Sequence, residues 1–157
     1  MSIHNSAIDY VGIQEVNPNS LINLLNSKKI REHLIEHESF NSETIKTWIN
    51  SKKRVNATKG CKIRAIIYKK QFAGWCGIQY ESDKYEMAIV IDEKFWGLGK
   101  NVFNEIMCWA KDLGHNELDI HLLESRPEYK FLQKISTRVY ESEILGRKFT
   151  TYQLKVK

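Results

Sequence analysis

The most constraining feature of the sequence lies between residues 89 and 114, where a strand-like segment meets two glycines and a helix-like segment. The segment IVI is apolar, Gly97 and Gly99 stand one residue apart, and residues 100 to 113 carry apolar side chains at helical spacing. Glycines let a ligand approach the backbone closely, and the first N–H groups of a helix attract phosphate. The pattern therefore predicts a strand, a phosphate-binding loop and a helix in that order.

Two common nucleotide-binding motifs do not fit this loop. A P-loop requires a glycine at position 94 and a hydroxyl at position 101, where the sequence has Lys94 and Asn101. A dinucleotide fingerprint requires a third glycine at position 102, which is Val102, and a parallel strand arrangement upstream. The loop therefore belongs to another kind of phosphate site.

The segments on either side predict a layered α+β fold. Residues 9–17 form a strand, residues 19–37 a helix broken near Asn26, and residues 41–53 a second helix. Residues 62–92 form three antiparallel strands, of which the third, 85–92, is central and buried on both faces. The remaining elements are the helix with its apolar stripe at Val102, Phe103, Ile106, Met107, Ala110 and Leu113 and its stop at Gly114, a strand at 117–125, a short helix at 127–135 and a C-terminal hairpin. This order predicts a mixed, mostly antiparallel sheet flanked by helices, in one domain spanning 1–157.

Composition is that of an ordinary globular protein. With 42% hydrophobic and 27% charged residues and no long apolar run, the chain is not expected to cross or bind a membrane. The first ten residues lack a secretory signal pattern, and Cys61, Cys76 and Cys108 form no CxxC pair. These features predict reduced thiols and a cytoplasmic location.

Positive charge is concentrated in one block. Residues 44–80 contain no acidic residue, and their basic residues are Lys46, Lys52, Lys53, Arg54, Lys59, Lys62, Arg64, Lys69 and Lys70. Such a block is either a solvated face or a surface that attracts a polyanion such as RNA, and the sequence leaves both open.

The segment HLIEH, from His33 to His37, matches the H-x-x-E-H zinc pattern. A zinc protease also needs a third ligand and a cleft, for which this chain has little length to spare. We therefore predict a polar helix face here and no metal site.

The stretch VIDEKFWGLGKN resembles motif A of the Gcn5-related N-acetyltransferase (GNAT) superfamily, V-x-P-x-x-[RQ]-G-x-G-x-[GA]. Gly97 and Gly99 match the pattern. The motif's other places are taken by Ile91, Glu93, Trp96 and Asn101. The order of elements also follows that of the family, so the resemblance covers most of the chain.

The resemblance implies an acyl-CoA N-acyltransferase fold and transfer of an acetyl group from acetyl-CoA to an amine. The backbone of Ile89, Val90 and Ile91 is expected to pair with the pantetheine arm and to supply the oxyanion donor. The pyrophosphate is expected to lie against Trp96, Gly97, Leu98, Gly99, Lys100 and Asn101.

The resemblance also implies positions for an acid and a base. The family's acidic tyrosine would fall at Leu132, and Tyr129, one turn earlier, is the candidate that could replace it. Ser125 is expected to contact the cofactor or relay a proton. His121 and Glu86 are the candidate bases, beside Asp119 at a cleft between two splayed strands, unless water carries the proton.

The acceptor is left open. A small-molecule or protein amine is the expectation, while a toxin-like acetyltransferase acting on aminoacyl-tRNA and a non-catalytic acetyl-CoA-binding module are the alternatives. Among similar proteins, pairing through the C-terminal hairpin is common, so a homodimer is also considered.

Overall fold

The computed structural model describes residues 7–32, 38–81, 83–123, 130–144 and 146–157. The HLIEH segment and the predicted site residues Ser125 and Tyr129 lie outside these ranges.

A seven-stranded sheet is the centre of the described structure. Its strands are β1 (Ile8–Val11), β2 (Lys62–Tyr68), β3 (Gln71–Glu81), β4 (Lys84–Ile91), β5 (Glu117–Leu123), β6 (Ser136–Ile144) and β7 (Arg147–Lys155), in the order β1-β2-β3-β4-β5-β7-β6. All neighbouring pairs are antiparallel except β4 and β5, which are parallel. The predicted mixed, mostly antiparallel sheet is confirmed.

Helices cover both faces of this sheet. They are α1 (Pro18–Asn26), α2 (Lys28–Arg31), α3 (Thr44–Asn56), α4 (Gly99–Asp112) and α5 (Lys130–Ile135), with 3-10 turns at Ile13–Glu15 and Glu93–Leu98. The break between α1 and α2 falls at Ser27, next to the predicted position. Pro18 begins α1, where a missing backbone N–H costs nothing, and the Asn17 side chain accepts a hydrogen bond from the Asn19 N–H.

Two apolar cores lie on opposite faces. One packs α4 against the sheet and includes Phe103, Ile106 and Leu118. The other packs α1 and α3 against the sheet and includes Leu24 and Ile45. Burying both faces of the sheet fixes the register of its central strands, because a slip of one residue would exchange the two sets of side chains.

The strands β4 and β5 diverge soon after they meet. Their pairing consists of one bridge, Glu86 with Asp119, over the whole described length of both strands. Beyond it, residues 87–91 and 120–123 form no bridge with each other, and we call the gap between them in the middle of the sheet the cleft. The predicted alternation of β5 is also confirmed: Leu118, Ile120 and Leu122 join the α4 core, which puts Asp119 and His121 on the face of α1 and α3.

Three expectations differ from the structure. The first strand is shorter than predicted, because Gly12 begins a 3-10 turn in which its N–H donates to the Glu15 carboxylate at 2.7 Å. β4 is central but only partly buried, since it borders the cleft. Leu113 is 41% exposed because α4 ends at Asp112 and Gly114 takes a left-handed φ of 85°, and Trp109 is buried in the stripe instead.

Among the described residues, no helix has the length and apolarity needed to span a membrane.

Candidate functional site

Two of the predicted catalytic side chains meet where β4 and β5 diverge. His121 Nε2 lies 3.2 Å from Glu86 Oε2, and the two side chains are 22% and 20% exposed. The contact follows from the sheet register, because Glu86 pairs with Asp119 and His121 lies two residues further along the same face of β5. A carboxylate and an imidazole in contact at an open cleft can accept and hold a proton.

The second ring nitrogen of His121 is also engaged. Nδ1 lies 2.7 Å from the Thr151 hydroxyl, which in turn lies 2.8 Å from the Ser142 hydroxyl. Thr151 is fully buried and is paired with His121 across β5 and β7. Both nitrogens of the ring therefore contact protein groups, so the imidazole is held in a fixed orientation.

The half-buried Lys52 is linked to Glu86 through Gln79. The Lys52 ammonium donates to Gln79 Oε1 at 2.5 Å, and the Gln79 amide donates to Glu86 Oε1 at 3.4 Å. Lys52 also lies 4.6 Å from the ring centre of Trp75. Burial lowers the pKa of Lys52, while the negative charges of Glu86 and Glu81 partly oppose that shift.

Asp119, the bridge partner of Glu86, is buried to 2% exposure. Its Oδ2 lies 3.7 Å from the Lys84 ammonium and makes no hydrogen bond to another described group. Lys84 is half exposed at the start of β4. The ion pair joins β4 and β5 on the side of the Glu86–Asp119 bridge that lies away from the cleft.

The glycine loop leaves its two glycines facing empty space. A Cβ atom added to Gly97 or to Gly99 would meet no protein atom within 4 Å. Gly99 has φ −52°, and neither glycine has a positive φ. Neither backbone conformation nor protein packing requires glycine here, and the open space leaves room for a ligand to approach the backbone closely. The residues present thus fit a bound phosphate-bearing group.

Trp96 has a structural role that the sequence does not predict. Its indole N–H donates to the carbonyl oxygen of Ile91 at 2.8 Å, although 48% of the residue is exposed. The side chain thereby ties the glycine loop to the end of β4. Of the neighbouring loop residues, Lys100 is exposed and Asn101 half-buried.

The three residues predicted to hold the pantetheine arm lie on the divergent part of β4. Ile91 and the half-buried Ile89 pack into the α4 core, and Val90 packs into the α1 and α3 core. Their side chains therefore pack in the protein interior. What these residues can offer a ligand in the cleft is their backbone.

The expected place of the family's tyrosine is apolar. Leu132 is 3% exposed and packs in the α4 core. The assignments of Tyr129 and Ser125 stay predictions, since neither residue is described.

Thr151, Ser142 and Gln79 are polar residues that sequence reasoning overlooked. Each of them contacts a residue several positions away in the sequence, and Thr151 lies 30 residues from His121. The register of β7 against β5 would have revealed Thr151, but register depends on knowing which strands pair.

The basic block contributes side chains to both faces of the sheet. Lys52 points into the α1 and α3 face, whereas Lys62 lies 4.6 Å from the ring centre of Trp109 in the α4 core. Lys69 and Lys70 lie in the β2–β3 turn. The RNA-docking interpretation of this block stays a prediction.

No three His, Cys, Asp or Glu side chains within the described ranges come together in a way that could hold a metal ion.

Comparisons with known proteins identify the fold. No protein-family model matches the sequence, and no curated protein is similar enough in sequence to match. Solved structures do match. A ribosomal L7/L12 alpha-N-protein acetyltransferase in complex with coenzyme A has a TM-score of 0.77 at 12% identity, covering 96% of this chain and 95% of that one.

Two further solved structures are also similar. The spermidine N-acetyltransferase SpeG of Vibrio cholerae has a TM-score of 0.65 at 13% identity and covers 96% of this chain and 93% of its own. An N-acetyltransferase of Staphylococcus aureus Mu50 has a TM-score of 0.67 at 15% identity, covering 96% and 98%. Together with the seven-stranded mixed sheet and the divergence of β4 and β5, these matches show that the chain has the fold of the Gcn5-related N-acetyltransferases.

Proposed function

We propose that this chain is an acetyl-CoA-dependent N-acetyltransferase that acts on an amine of a small molecule or a protein. The observation that carries the proposal is the single Glu86–Asp119 bridge. Where the strands part, Glu86 and His121 stand in contact on one face, and the cleft continues towards the glycine loop. The CoA complex and the spermidine enzyme among the similar structures support this choice of ligand and acceptor class.

The chain's own groups suit the binding of acetyl-CoA, which supplies the acetyl group as a thioester. The backbone of Ile89, Val90 and Ile91 would pair with the pantetheine arm. The loop from Trp96 to Asn101 would hold the pyrophosphate, with the open space at Gly97 and Gly99 allowing the phosphates to reach the backbone N–H groups. All of these contacts use main-chain groups.

Glu86 is the better candidate for the base. Both nitrogens of His121 already contact protein groups, whereas the Glu86 carboxylate has free acceptor capacity and is partly exposed. Glu86 would take the proton from the acceptor ammonium, and the free amine would then attack the acetyl carbonyl. The departing thiolate needs a proton, for which Tyr129 and Ser125 remain the predicted donors.

Binding and turnover test this proposal separately. Acetyl-CoA, but not ATP or NAD, should raise the unfolding temperature by a few degrees, because ligand at about 100 times its Kd adds about 2.7 kcal/mol of stability. Release of free CoA thiol in the presence of a panel of amines measures turnover. Glu86→Gln should lower kcat by about 10²- to 10⁴-fold, while Glu81→Gln, at the exposed end of β3, should not.

The outcomes separate the alternatives. Stabilisation without thiol release across the panel would favour the non-catalytic binding module, and no stabilisation at millimolar acetyl-CoA would contradict the proposed function altogether. Activity on aminoacyl-tRNA that falls steeply with added salt would instead favour the RNA-directed enzyme.

A further inference from the structure

The hydroxyl pair of Thr151 and Ser142 has no part in the chemistry proposed above. Thr151 is 0% exposed, and its Oγ1 lies 2.7 Å from His121 Nδ1 and 2.8 Å from Ser142 Oγ. Ser142 is half-buried on β6, one of the two edge strands of the sheet. Three strands, β5, β7 and β6, thus each contribute one side chain to a row that ends at Glu86.

The direction of each hydrogen bond in this row follows from chemistry. An ionised carboxylate only accepts, so the neutral ring of His121 must carry its hydrogen on Nε2, facing Glu86. Nδ1 is then an acceptor and receives the Thr151 O–H. Because that hydrogen is used, Ser142 must donate its own to Thr151 Oγ1. With the ring neutral, this arrangement satisfies every group in the row.

We propose that Thr151 is a positioning residue which, supported by Ser142, holds the neutral His121 ring with its Nε2–H on Glu86. The N–H occupies one carboxylate oxygen and so fixes the orientation of the Glu86 carboxylate beside the cleft. The catalytic consequence rests on the proposed function, but the ring orientation and tautomer do not.

Removing the Thr151 hydroxyl would leave Nδ1 against a methyl group. The ring would then be held only at Nε2 and could rotate about its bond to Cβ, so the Glu86 contact would weaken. Thr151→Val tests this with little change of shape, and Thr151→Ser restores the hydroxyl. Thr150→Val is the matched control, since Thr150 is half-buried next to Thr151 and its side chain points to the other face of β7.

The nitrogen-15 spectrum of histidine reports the arrangement without any assay of activity. At alkaline pH, with the His121 signals identified by their loss in His121→Gln, we expect a protonated-type Nε2 and an unprotonated Nδ1 displaced by an accepted hydrogen bond. The Nδ1 signal should move to its unbonded position in Thr151→Val and return in Thr151→Ser. A protonated Nδ1 in the wild-type protein, or an Nδ1 signal unmoved by Thr151→Val, would overturn the proposal.

Acetyl transfer then tests the consequence. Thr151→Val should lower kcat about tenfold with the KM for acetyl-CoA unchanged, and Thr151→Ser should restore it. Equal kcat for Thr151→Val and the wild type would refute the positioning role. If Thr151→Val does not fold, Ser142→Ala should give a smaller change in the same direction in both measurements. A wild-type protein that transfers to no amine but shows the expected spectrum would contradict the proposed function and leave the ring arrangement standing.

Discussion

The indole N–H of Trp96 donates a hydrogen bond of 2.8 Å to the carbonyl oxygen of Ile91, so the glycine loop is fastened to the last residue of β4. Trp96→Phe keeps an aromatic ring but removes this bond, which contributes about 1 kcal/mol. We expect acetyl-CoA to bind about fivefold more weakly, as measured by calorimetry.

The exposure of Trp96 gives this variant a second readout. Trp75 and Trp109 are buried, while Trp96 is 48% exposed beside the loop. Acetyl-CoA should change the tryptophan fluorescence of the wild-type protein but not that of Trp96→Phe. Trp48→Phe, in the core on the other side of the sheet, should retain the change, and a response that survives in Trp96→Phe would place the ligand elsewhere.

Glycine-to-alanine variants should separate ligand binding from folding. Gly97→Ala and Gly99→Ala add a Cβ in open space, so the unfolding free energy should stay equal or rise slightly while acetyl-CoA binding weakens. Gly77→Ala should lower the unfolding free energy and leave acetyl-CoA binding unchanged, because its Cβ would lie 2.1 Å from the backbone oxygen of Lys62. Urea unfolding with and without acetyl-CoA measures both effects. Loop variants that bind as tightly as the wild type would show that no ligand approaches these glycines.

Two apolar residues of the α4 region should differ sharply in their contribution to stability. Ile106 is 0% exposed, and Ile106→Ala should lower the unfolding free energy by about 2 to 5 kcal/mol through lost contacts and a cavity. Leu113→Ala, at a 41% exposed position just past the helix, should change it by less than about 0.5 kcal/mol. Comparable losses from both variants in urea unfolding would mean that Leu113 is buried in solution.

Lys52 should give the protein a characteristic pH dependence. Burial lowers its folded pKa below the ordinary value of 10.5, so the unfolded chain binds more protons just below that value. The contribution of Lys52 to the free energy of unfolding therefore rises with pH in that range. It is smallest at lower pH, where Lys52 is protonated in both the folded and the unfolded state. The unfolding free energy of the wild type relative to Lys52→Met should rise as the pH increases towards 10.5, whereas Lys53→Met, an exposed neighbour, should show no such trend.

The three cysteines should react at different rates. Cys108 is exposed, whereas burial raises the pKa of both Cys76 and Cys61 and suppresses their thiolates. Iodoacetamide at mildly alkaline pH should modify Cys108 first, and denaturant should be needed for the other two. Peptide mass spectrometry locates the label, and early modification of Cys76 would contradict its place in the core.

Periodic patterns explain what the sequence predicts well. The alternation of β5 puts Asp119 and His121 on one face, and the apolar stripe of α4 identifies Ile106 as buried. Both predictions succeed because buried positions recur with the period of the strand or helix that carries them. Leu113 fits the stripe but lies beyond the helix end. Its exposure depends on where the turn at Gly114 begins, which a stripe alone does not fix.

The polar contacts at the site depend on distances in space that no local pattern encodes. The prediction that Glu86 and His121 are candidate bases comes from their strands, yet the contact of both His121 nitrogens with protein groups depends on β7 lying beside β5. Under the proposed function, that adjacency makes Glu86 a better candidate base than His121. The role of Trp96 is similar, since the motif position predicts a ligand contact but not the hydrogen bond that the indole N–H donates to Ile91.

The early parting of β4 and β5 leaves an interrupted sheet in which an extended ligand with amide groups can serve as the absent strand. Recognition of that kind depends on hydrogen bonds to backbone peptide groups, which every residue except proline carries in the same form. Under the proposed function, most side chains could be exchanged in evolution while the cofactor continued to meet the same hydrogen-bonding partners. Such recognition is compatible with a TM-score of 0.77 beside a sequence identity of 12%.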